Sequence, residues 1–219
     1  MKKIVVIVGG SGKIGGFISN YLSKKNKFEI VIIDKFKPKF NKFDKFIKFD
    51  LLNFKKYKKL KSEILKKYKS IDILINCAAM VGTNQDKGWR KGFEFQSVLS
   101  WQKCLDTNLT SIFLIIQTLL SLLKKSKNPK IINISSIYGF TAPRFEIYKN
   151  TNIRNQLAYA VSKAGVIQLT KWFSSYLHKK FSINTISLGG LSGKYMKKNF
   201  KQKYSKYTLK KRMLKLEDV

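Results

Sequence analysis

Residues 3–15 of this 219-residue chain have the sequence KIVVIVGGSGKIG, in which an apolar run at residues 4–8 ends at two glycines. A short apolar run that stops at glycine predicts a buried β-strand, and the glycine-rich segment after it predicts a turn into a helix. Glycines let a backbone approach a pyrophosphate closely, and a helix N-terminus offers unpaired N–H groups to it. The turn therefore predicts a dinucleotide-binding loop, with a purely structural turn as the alternative. The residues assigned to cofactor contacts are Gly9, Ser11, Gly12, Ile14 and Gly15.

Strand and helix signals alternate along the rest of the chain. Apolar runs predict strands at 3–8, 29–33, 46–49, 71–75, 130–134 and 182–187, and the Lys- and Phe-rich segment 35–45 predicts a loop. Helical spacing of apolar residues predicts helices from the glycine turn to about Lys25, and at 54–68, 107–125 and 158–178. Successive strand–helix units predict an α/β fold of the Rossmann type, a doubly wound parallel sheet with helices on both faces. The length suits one domain over residues 1–219.

Lysine dominates the charge of the chain. The formal net charge is +33 at pH 7, yet only four of the 45 basic residues are arginine. Nucleic-acid sites usually favour arginine for its bidentate fork, and the lysines here occur in nearly every predicted helix. This pattern favours solvated helix faces in a chain with an AT-rich coding bias, so we expect no specific nucleic-acid partner. Polyanion binding by the Lys-rich segment 194–215 is a less favoured alternative.

Three features bear on the compartment. Cys77 and Cys104 are too few for a disulfide framework, which favours a reducing environment. The N-terminal apolar run is too short for a signal peptide, and the apolar stretch at 112–123 is interrupted by polar residues and too short to span a bilayer. We therefore expect a cytoplasmic protein without a membrane segment.

A carboxylate follows the second predicted strand. Asp34 lies nineteen residues beyond Gly15, where a carboxylate can accept hydrogen bonds from the adenosine ribose of a dinucleotide. Its negative charge would repel a 2′-phosphate and so favours NAD over NADP. Lys13 and Lys35 lie close in sequence and keep NADP possible.

Two further strand ends carry cofactor candidates, because the carboxyl ends of parallel strands meet at one crevice. Asp50 and Leu51 follow the third predicted strand and suit an adenine contact, with an ordinary helix cap as an equal alternative. Asn76 and Ala78 belong to a run of small residues that closes the fourth strand and suits a wall against a cofactor.

A tyrosine and a lysine follow the fifth predicted strand. Tyr159 and Lys163 are four residues apart, so they share one face of a helix. A cation beside a phenol lowers the phenol pKa, which predicts a general acid/base for a carbinol or carbonyl. Ser136 ends the preceding strand and is expected to face the same crevice, and Asn108 lies in the helix after the fourth strand.

Taken together and in this order, these motifs resemble the short-chain dehydrogenase/reductase family over essentially the whole chain. The resemblance implies that Tyr159 is the catalytic acid/base, and that Lys163 modulates its pKa and binds ribose. It further implies that Ser136 polarises the substrate oxygen, that Asn108 holds a proton-relay water, and that Gly189 belongs to the nicotinamide wall. Hydride would pass between the nicotinamide of NAD, or possibly of NADP, and a substrate carbon.

The segment between Ser136 and Tyr159 is longer than is usual in that family, which predicts a substrate-loop insert at about 138–156. With residues 79–82 and 88–97, it is similar to the flagellin-modification (legionaminic-acid pathway) oxidoreductases of bacterial surface-glycan synthesis. This resemblance implies a sugar derivative as substrate. Arg144 and Tyr148 are the candidate substrate contacts, Arg144 for a phosphate; a surface loop that binds nothing is the alternative.

The C-terminal region departs from the family pattern. The segment Leu188-Gly189-Gly190 stands where Pro-Gly is usual, and relatives continue past the position of Asp218 into a last helix and an edge strand, whereas this chain stops at Val219. We therefore expect a truncated chain that lacks these two elements. The homo-oligomer expected of the family would then lose a common dimer surface. A catalytically inactive dinucleotide-binding protein is the main alternative to an active enzyme.

Overall fold

A six-stranded parallel sheet forms the centre of the computed structural model, which describes residues 2–40, 42–81, 87–151, 153–194 and 196–219. The strands are β1 (Lys3–Val8), β2 (Phe28–Asp34), β3 (Lys45–Lys48), β4 (Ile73–Asn76), β5 (Lys130–Ser136) and β6 (Ser182–Leu188). Their order is β3-β2-β1-β4-β5-β6, and every neighbouring pair is parallel. The predicted Rossmann-type architecture and its six strands are confirmed, with strand ends displaced by one or two residues.

Helices cover both faces of this sheet. They are α1 (Lys13–Ser23), α2 (Tyr57–Leu65), α3 (Val98–Leu105), α4 (Ser111–Leu123), α5 (Leu157–Tyr176) and α6 (Lys198–Ser205). Alternate residues of β1 enter different layers, because successive side chains of a strand point to opposite faces. Val6 and Val8 pack in the core that contains α2, α4 and α5, whereas Val5 and Ile7 pack in the core beside α1. The sheet is therefore doubly wound.

The chain changes winding direction at β1. β2 pairs with one side of β1 and β4 pairs with the other, so the connections that leave these strands diverge to opposite sides. Such a switch point opens a crevice at the carboxyl ends of the strands, which is where open α/β sheets bind ligands. The glycine-rich turn lies directly at this opening, after Val8.

Two helical features differ from the sequence-based prediction. The helix predicted to begin at 107 is preceded by α3, which continues through a π-helical turn (Asp106–Thr110) into α4. Ser97 caps α3 by accepting a hydrogen bond from the backbone N–H of Ser100. Val98 and Leu99 are 80% and 84% exposed, whereas the buried residues of α3 are Ser100 and Cys104, so large apolar side chains do not mark its buried face. The Lys-rich helix α6 was also not predicted.

The segment Val98–Leu123 is long and apolar enough to cross a membrane by length and composition. In the structure, however, α4 buries Ile112, Ile115, Ile116 and Leu119 in the core that also contains β1 and β5. This helix is therefore a core helix of the sheet. Residues Gly82 and Asn152, which belong to the segments that carry the finer resemblance and the insert, lie outside the described residues.

Truncation of the buried face of α4 should destabilise the fold far more than truncation of its outer face. We expect Ile116→Ala, at a fully buried position, to lower the free energy of unfolding by about 2–5 kcal/mol through the cavity it leaves. Phe113→Ala on the same helix is the matched control, because Phe113 is 42% exposed. Urea denaturation followed by circular dichroism measures both. Equal losses for the two variants would contradict the packing described here.

Candidate active site

The carboxyl ends of all six strands open into one cavity of about 630 Å³. Most of the residues predicted to form the site line this cavity, whereas five of them do not. Those that line it are Gly9, Gly12, Ile14, Gly15, Asp34, Asp50, Leu51, Ala78, Ser136, Tyr159, Lys163 and Gly189. Those that do not are Ser11, Asn76, Asn108, Arg144 and Tyr148.

The glycine-rich turn packs against the backbone of the segment that follows β4. Gly9 has a φ of +76°, and a Cβ placed on it would lie 2.5 Å from the backbone nitrogen of Ala78. A Cβ on Gly15 would lie 2.2 Å from the carbonyl oxygen of Gly9. Both positions thus require glycine, and the turn presents bare backbone to the cavity. Gly12 precedes α1 without a side-chain cap, so the N-terminal N–H groups of α1 keep the capacity to bind an anion.

Asp34 joins the end of β2 to this turn. Its carboxylate oxygens accept hydrogen bonds from the backbone N–H groups of Ser11, at 3.0 Å, and of Phe36, at 3.1 Å. An ionised carboxylate has about four lone-pair sites, so Asp34 retains acceptor capacity toward the cavity that it lines. Ser11 therefore contributes its backbone N–H to this contact with Asp34, and it does not line the cavity. The turn, Asp34 and the free N-terminus of α1 fit a diphosphate with an adjoining ribose.

Lys35 and Lys13, which kept NADP possible, both have partners. The Lys35 ammonium lies 2.9 Å from a carboxylate oxygen of Asp50, and this contact holds the pKa of Asp50 below its ordinary value. The Lys13 ammonium donates to the carbonyl oxygen of Ser192. Because the ion pair is well exposed, it contributes little stability, but it places the charge of Lys35 against Asp50.

Tyr159, Lys163 and Ser136 meet at the opposite end of the cavity. The Lys163 ammonium lies 5.7 Å from the centre of the Tyr159 ring and donates to the carbonyl oxygen of Ile134 at 2.9 Å. Lys163 is 2% exposed, and this burial lowers its pKa to about 8. Burial also raises the pKa of Tyr159, and a hydrogen bond with the Ser136 side chain offsets only part of that rise.

The direction of the Tyr159 pKa shift differs from the prediction. We expected the neighbouring cation to lower it, whereas in this structure burial of the phenol is the larger effect. The Lys163 ammonium is itself bonded to a backbone carbonyl rather than to the phenol oxygen. Tyr159 therefore carries its proton at neutral pH in this state, as a proton donor does.

Asn108 and Asn76 support the cavity from behind its wall. The Asn108 amide accepts from the backbone N–H of Met80 at 2.6 Å and donates to the Met80 carbonyl and the Ser162 hydroxyl. Its side chain is thus engaged with protein groups and fixes Met80, which lines the cavity. Asn76 is 2% exposed and donates to the side chain of Asn133 at 2.8 Å, which ties β4 to β5. Neither amide lies on the cavity wall.

The two substrate residues assigned to the insert also lie away from the cavity. The Arg144 guanidinium sits over the ring of Tyr207, with its carbon 4.5 Å from the ring centre. Tyr148 is 8% exposed and packs against Phe200 in a small apolar core. The positions were assigned from the finer resemblance and from residue chemistry, which do not reveal that the insert folds back onto α6.

Several cavity residues were not singled out from the sequence. Tyr138 follows Ser136 by two residues and was noted only as part of the insert, and Cys77 was noted only as one of two cysteines too few for a disulfide framework. Burial raises the pKa of the Cys77 thiol to about 12, so it is a neutral part of the wall. Met196 precedes α6, whose two apolar residues, Phe200 and Tyr204, were not recognised as a helical pattern. The cavity residues in this group are Cys77, Met80, Lys103, Tyr138 and Met196.

Comparison with known proteins gives a family match. The chain matches the short chain dehydrogenase family over residues 3–204. Post-translational flagellin modification protein A of Campylobacter coli is 28% identical over 99% of this chain and 88% of that protein. A short chain dehydrogenase of Leptospira borgpetersenii, solved with bound NAD+, is 30% identical with a TM-score of 0.85, and the match covers 100% of this chain and 82% of that one.

A second group of relatives has a different named activity. The 3-oxoacyl-acyl-carrier-protein reductase of Aquifex aeolicus is 32% identical over 65% of this chain. That match covers 52% of the reductase, about half its length.

The lowered pKa of Lys163 predicts a pH dependence of stability. Because the folded-state pKa is about 8 against an ordinary value of 10.5, the unfolded chain takes up this proton at higher pH than the folded chain. The stability contributed by the neutral amine is fully present above 10.5 and is lost as the pH falls towards 8. Relative to Lys163→Met, the wild type should thus gain about 1.4 kcal/mol of unfolding free energy per pH unit within this window.

Chemical denaturation of both proteins at several pH values measures that difference. Lys171→Met is the matched control, since Lys171 is exposed on the same helix. A wild-type advantage over Lys163→Met that stays constant from pH 8 to pH 10 would contradict the burial of this ammonium.

Proposed function

The chain belongs to the short-chain dehydrogenase family, whose members are oxidoreductases, and we propose that it transfers hydride between NAD and a hydroxyl or carbonyl of a sugar derivative. The observation that carries the proposal is the placement of Tyr159, Ser136 and Lys163 at one end of a cavity whose other end is the glycine-rich turn. The groups to which we assign cofactor binding and proton transfer therefore line one cavity.

The described residues fit a nicotinamide dinucleotide along this wall. The glycine turn and the N-terminus of α1 would hold the diphosphate, Asp34 the adenosine ribose, and Asp50 and Leu51 would flank the adenine. The cofactor would supply the hydride acceptor or donor, which no amino-acid side chain can provide. The carboxylate of Asp34 favours NAD. Lys35 and Lys13, which kept NADP possible, are engaged with Asp50 and Ser192, so their ammonium groups do not counter that preference.

Proton transfer is the task of this chain's own groups. With its pKa raised by burial, the Tyr159 phenol is protonated at neutral pH and suited to donate to a substrate carbonyl oxygen. As the phenol loses its proton, the Lys163 ammonium nearby stabilises the negative charge that forms. The Ser136 hydroxyl, which belongs to the same cavity wall as Tyr159, would hold the same substrate oxygen. In the oxidative direction, the same groups act in reverse.

The assignment of a sugar-type substrate is supported by the flagellin-modification relative, which matches nearly the whole chain. The 3-oxoacyl-acyl-carrier-protein reductase matches a shorter portion of both chains. Arg144, which the sequence indicated as a phosphate contact, lies over Tyr207 and does not line the cavity, so we do not include it in the substrate site. We propose a small polar substrate. We also propose that the reaction takes place in the cytoplasm, where NAD is available.

A homo-oligomer is also proposed, as the family resemblance implies. Support comes from exposed apolar side chains on α5, where Trp172 and Tyr176 are 56% and 64% exposed and stack on each other at 5.0 Å. Exposed apolar side chains that adjoin one another favour an interaction surface more than isolated ones do.

The acid/base assignment is tested by Tyr159→Phe. Removal of the phenol hydroxyl should lower kcat/KM by about 10²–10⁴-fold, the usual contribution of a general acid, and should leave the affinity for NAD+ unchanged. Reduced-nicotinamide absorbance measures turnover with a panel of aldoses, ketoses, polyols and an acetoacetyl thioester, and calorimetry measures cofactor binding. Tyr176→Phe, at the exposed end of the same helix, is the matched control.

The outcomes separate the candidate functions. Near-normal turnover in Tyr159→Phe would refute the acid/base role. Turnover of the acetoacetyl thioester alone would refute the sugar assignment and leave the oxidoreductase. NAD+ binding by the wild type without turnover of any compound would refute the proposed activity and favour an inactive dinucleotide-binding protein.

A further inference from the structure

Tyr138 is the cavity residue that connects the insert to the reacting groups. It follows β5, and its backbone N–H donates to the Ser136 hydroxyl at 3.2 Å, so its position is fixed relative to that residue. Tyr138, Ser136 and Tyr159 all line the cavity. The Tyr138 side chain is therefore placed beside the groups that would hold the substrate oxygen.

The insert holds the Tyr138 hydroxyl through Tyr148. The two hydroxyl oxygens are 2.7 Å apart, and either can be the donor. Tyr148 is anchored in turn, since its ring packs on Phe200 at 5.6 Å and its hydroxyl accepts from the Asn155 amide at 3.4 Å. The Tyr148 hydroxyl thus makes contacts on two sides and keeps the Tyr138 phenol in one orientation.

The Tyr138 hydroxyl retains hydrogen-bonding capacity. A phenol has one donor and two acceptor sites, and within the described ranges Tyr148 is the partner found for this hydroxyl. Burial, followed by the nearby phenols of Tyr148, Tyr204 and Tyr159, raises the pKa of Tyr138, so the group is a neutral hydroxyl at working pH. If Tyr138 donates to Tyr148, its oxygen can accept from a bound group; in the other orientation it can donate its proton to one.

A substrate hydroxyl matches either orientation, because it is both donor and acceptor. A hydrocarbon chain at the same place would leave the phenol without a partner, and a buried polar group without a partner opposes binding. The wall formed by Tyr138 therefore selects for oxygen substituents close to the reacting carbon.

We propose that Tyr138, oriented by Tyr148, binds a second hydroxyl of the substrate next to the carbon that exchanges hydride. The inference rests on the proposed oxidoreductase function and adds a specificity-determining residue to it. Tyr138 contacts the substrate, whereas Tyr148 and Asn155 are positioning residues that act through Tyr138. The insert thus shapes specificity without touching the substrate through Arg144 or Tyr148.

The test uses the aldose or polyol that the wild type turns over best, together with each of its monodeoxy analogues. Tyr138→Phe should lower kcat/KM for the parent compound about tenfold to hundredfold. For the analogue that lacks the bonded hydroxyl, Tyr138→Phe should lose nothing and should at least equal the wild type in kcat/KM, because the hydrogen bond is already absent and the unpartnered phenol hydroxyl is removed. Tyr207→Phe, at an exposed tyrosine outside the cavity lining, is the control and should behave as the wild type with every compound.

A positioning role of Tyr148 gives a second readout. Tyr148→Phe should also lower kcat/KM for the parent, and the double variant should lose no more than Tyr138→Phe alone, since both changes act on one contact. Thermal unfolding of each variant establishes that it is folded. An equal loss for the parent and for every deoxy analogue, or additive losses in the double variant, would overturn the role of Tyr138 while leaving the oxidoreductase intact. A wild type that turns over no hydroxylated compound would overturn both proposals.

Discussion

The close contact between the glycine-rich turn and the chain after β4 is the constraint on which the cavity depends. Gly9 can lie against the backbone of Ala78 only because it has no Cβ, which would be 2.5 Å from the Ala78 nitrogen. This contact closes the gap between the two strands on which the winding reverses. It lets the N-terminus of α1 and the carboxylate of Asp34 face one opening. A side chain at Gly9 would collide with Ala78 and separate these elements.

At the other end of the cavity, burial shifts the pKa values of Lys163 and Tyr159, on which proton transfer depends. Lys163 is almost completely enclosed, and its ammonium has the Ile134 carbonyl as a fixed acceptor. An isolated ammonium is costly to bury, which is why its pKa is lowered, and the site tolerates it because a partner is present. The same low-polarity environment keeps Tyr159 protonated. The Tyr159 phenol can thus donate a proton, and the nearby Lys163 ammonium would stabilise the negative charge that remains on its oxygen.

Much of the fold could be predicted from short-range patterns. Apolar runs located all six strands, since strands buried on both faces have little alternation and stand out from a lysine-rich background. The helices that were missed give a weaker signal. The buried residues of α3 are small, Ser100 and Cys104, and α6 is a short helix with two aromatic residues among lysines.

The site was predictable only where its residues lie at strand ends or at fixed helical spacing. Asp34, Ser136, Tyr159 and Lys163 follow that rule, and all line the cavity. Asn76 and Asn108 lie behind the cavity wall. This position could not be predicted because their partners, Asn133 and Met80, are distant in sequence. Tyr148 and Arg144 belong to a segment whose packing on other loops has no local signature. For the same reason, spacing alone indicated the Tyr159–Lys163 pair but gave the wrong direction for the phenol pKa, which depends on burial.

Calorimetric titration of the 219-residue chain with NAD+ and with NADP+ shows whether the cavity binds a dinucleotide, and it requires no knowledge of the substrate. We expect saturable binding of one NAD+ per chain and weaker binding of NADP+. In Asp34→Asn, which keeps the side-chain shape and removes the charge, this preference should shrink, as the repulsion of a 2′-phosphate is lost. Absence of saturable NAD+ binding would refute the cofactor site, and equal affinity of the wild type for both dinucleotides would refute the role of Asp34.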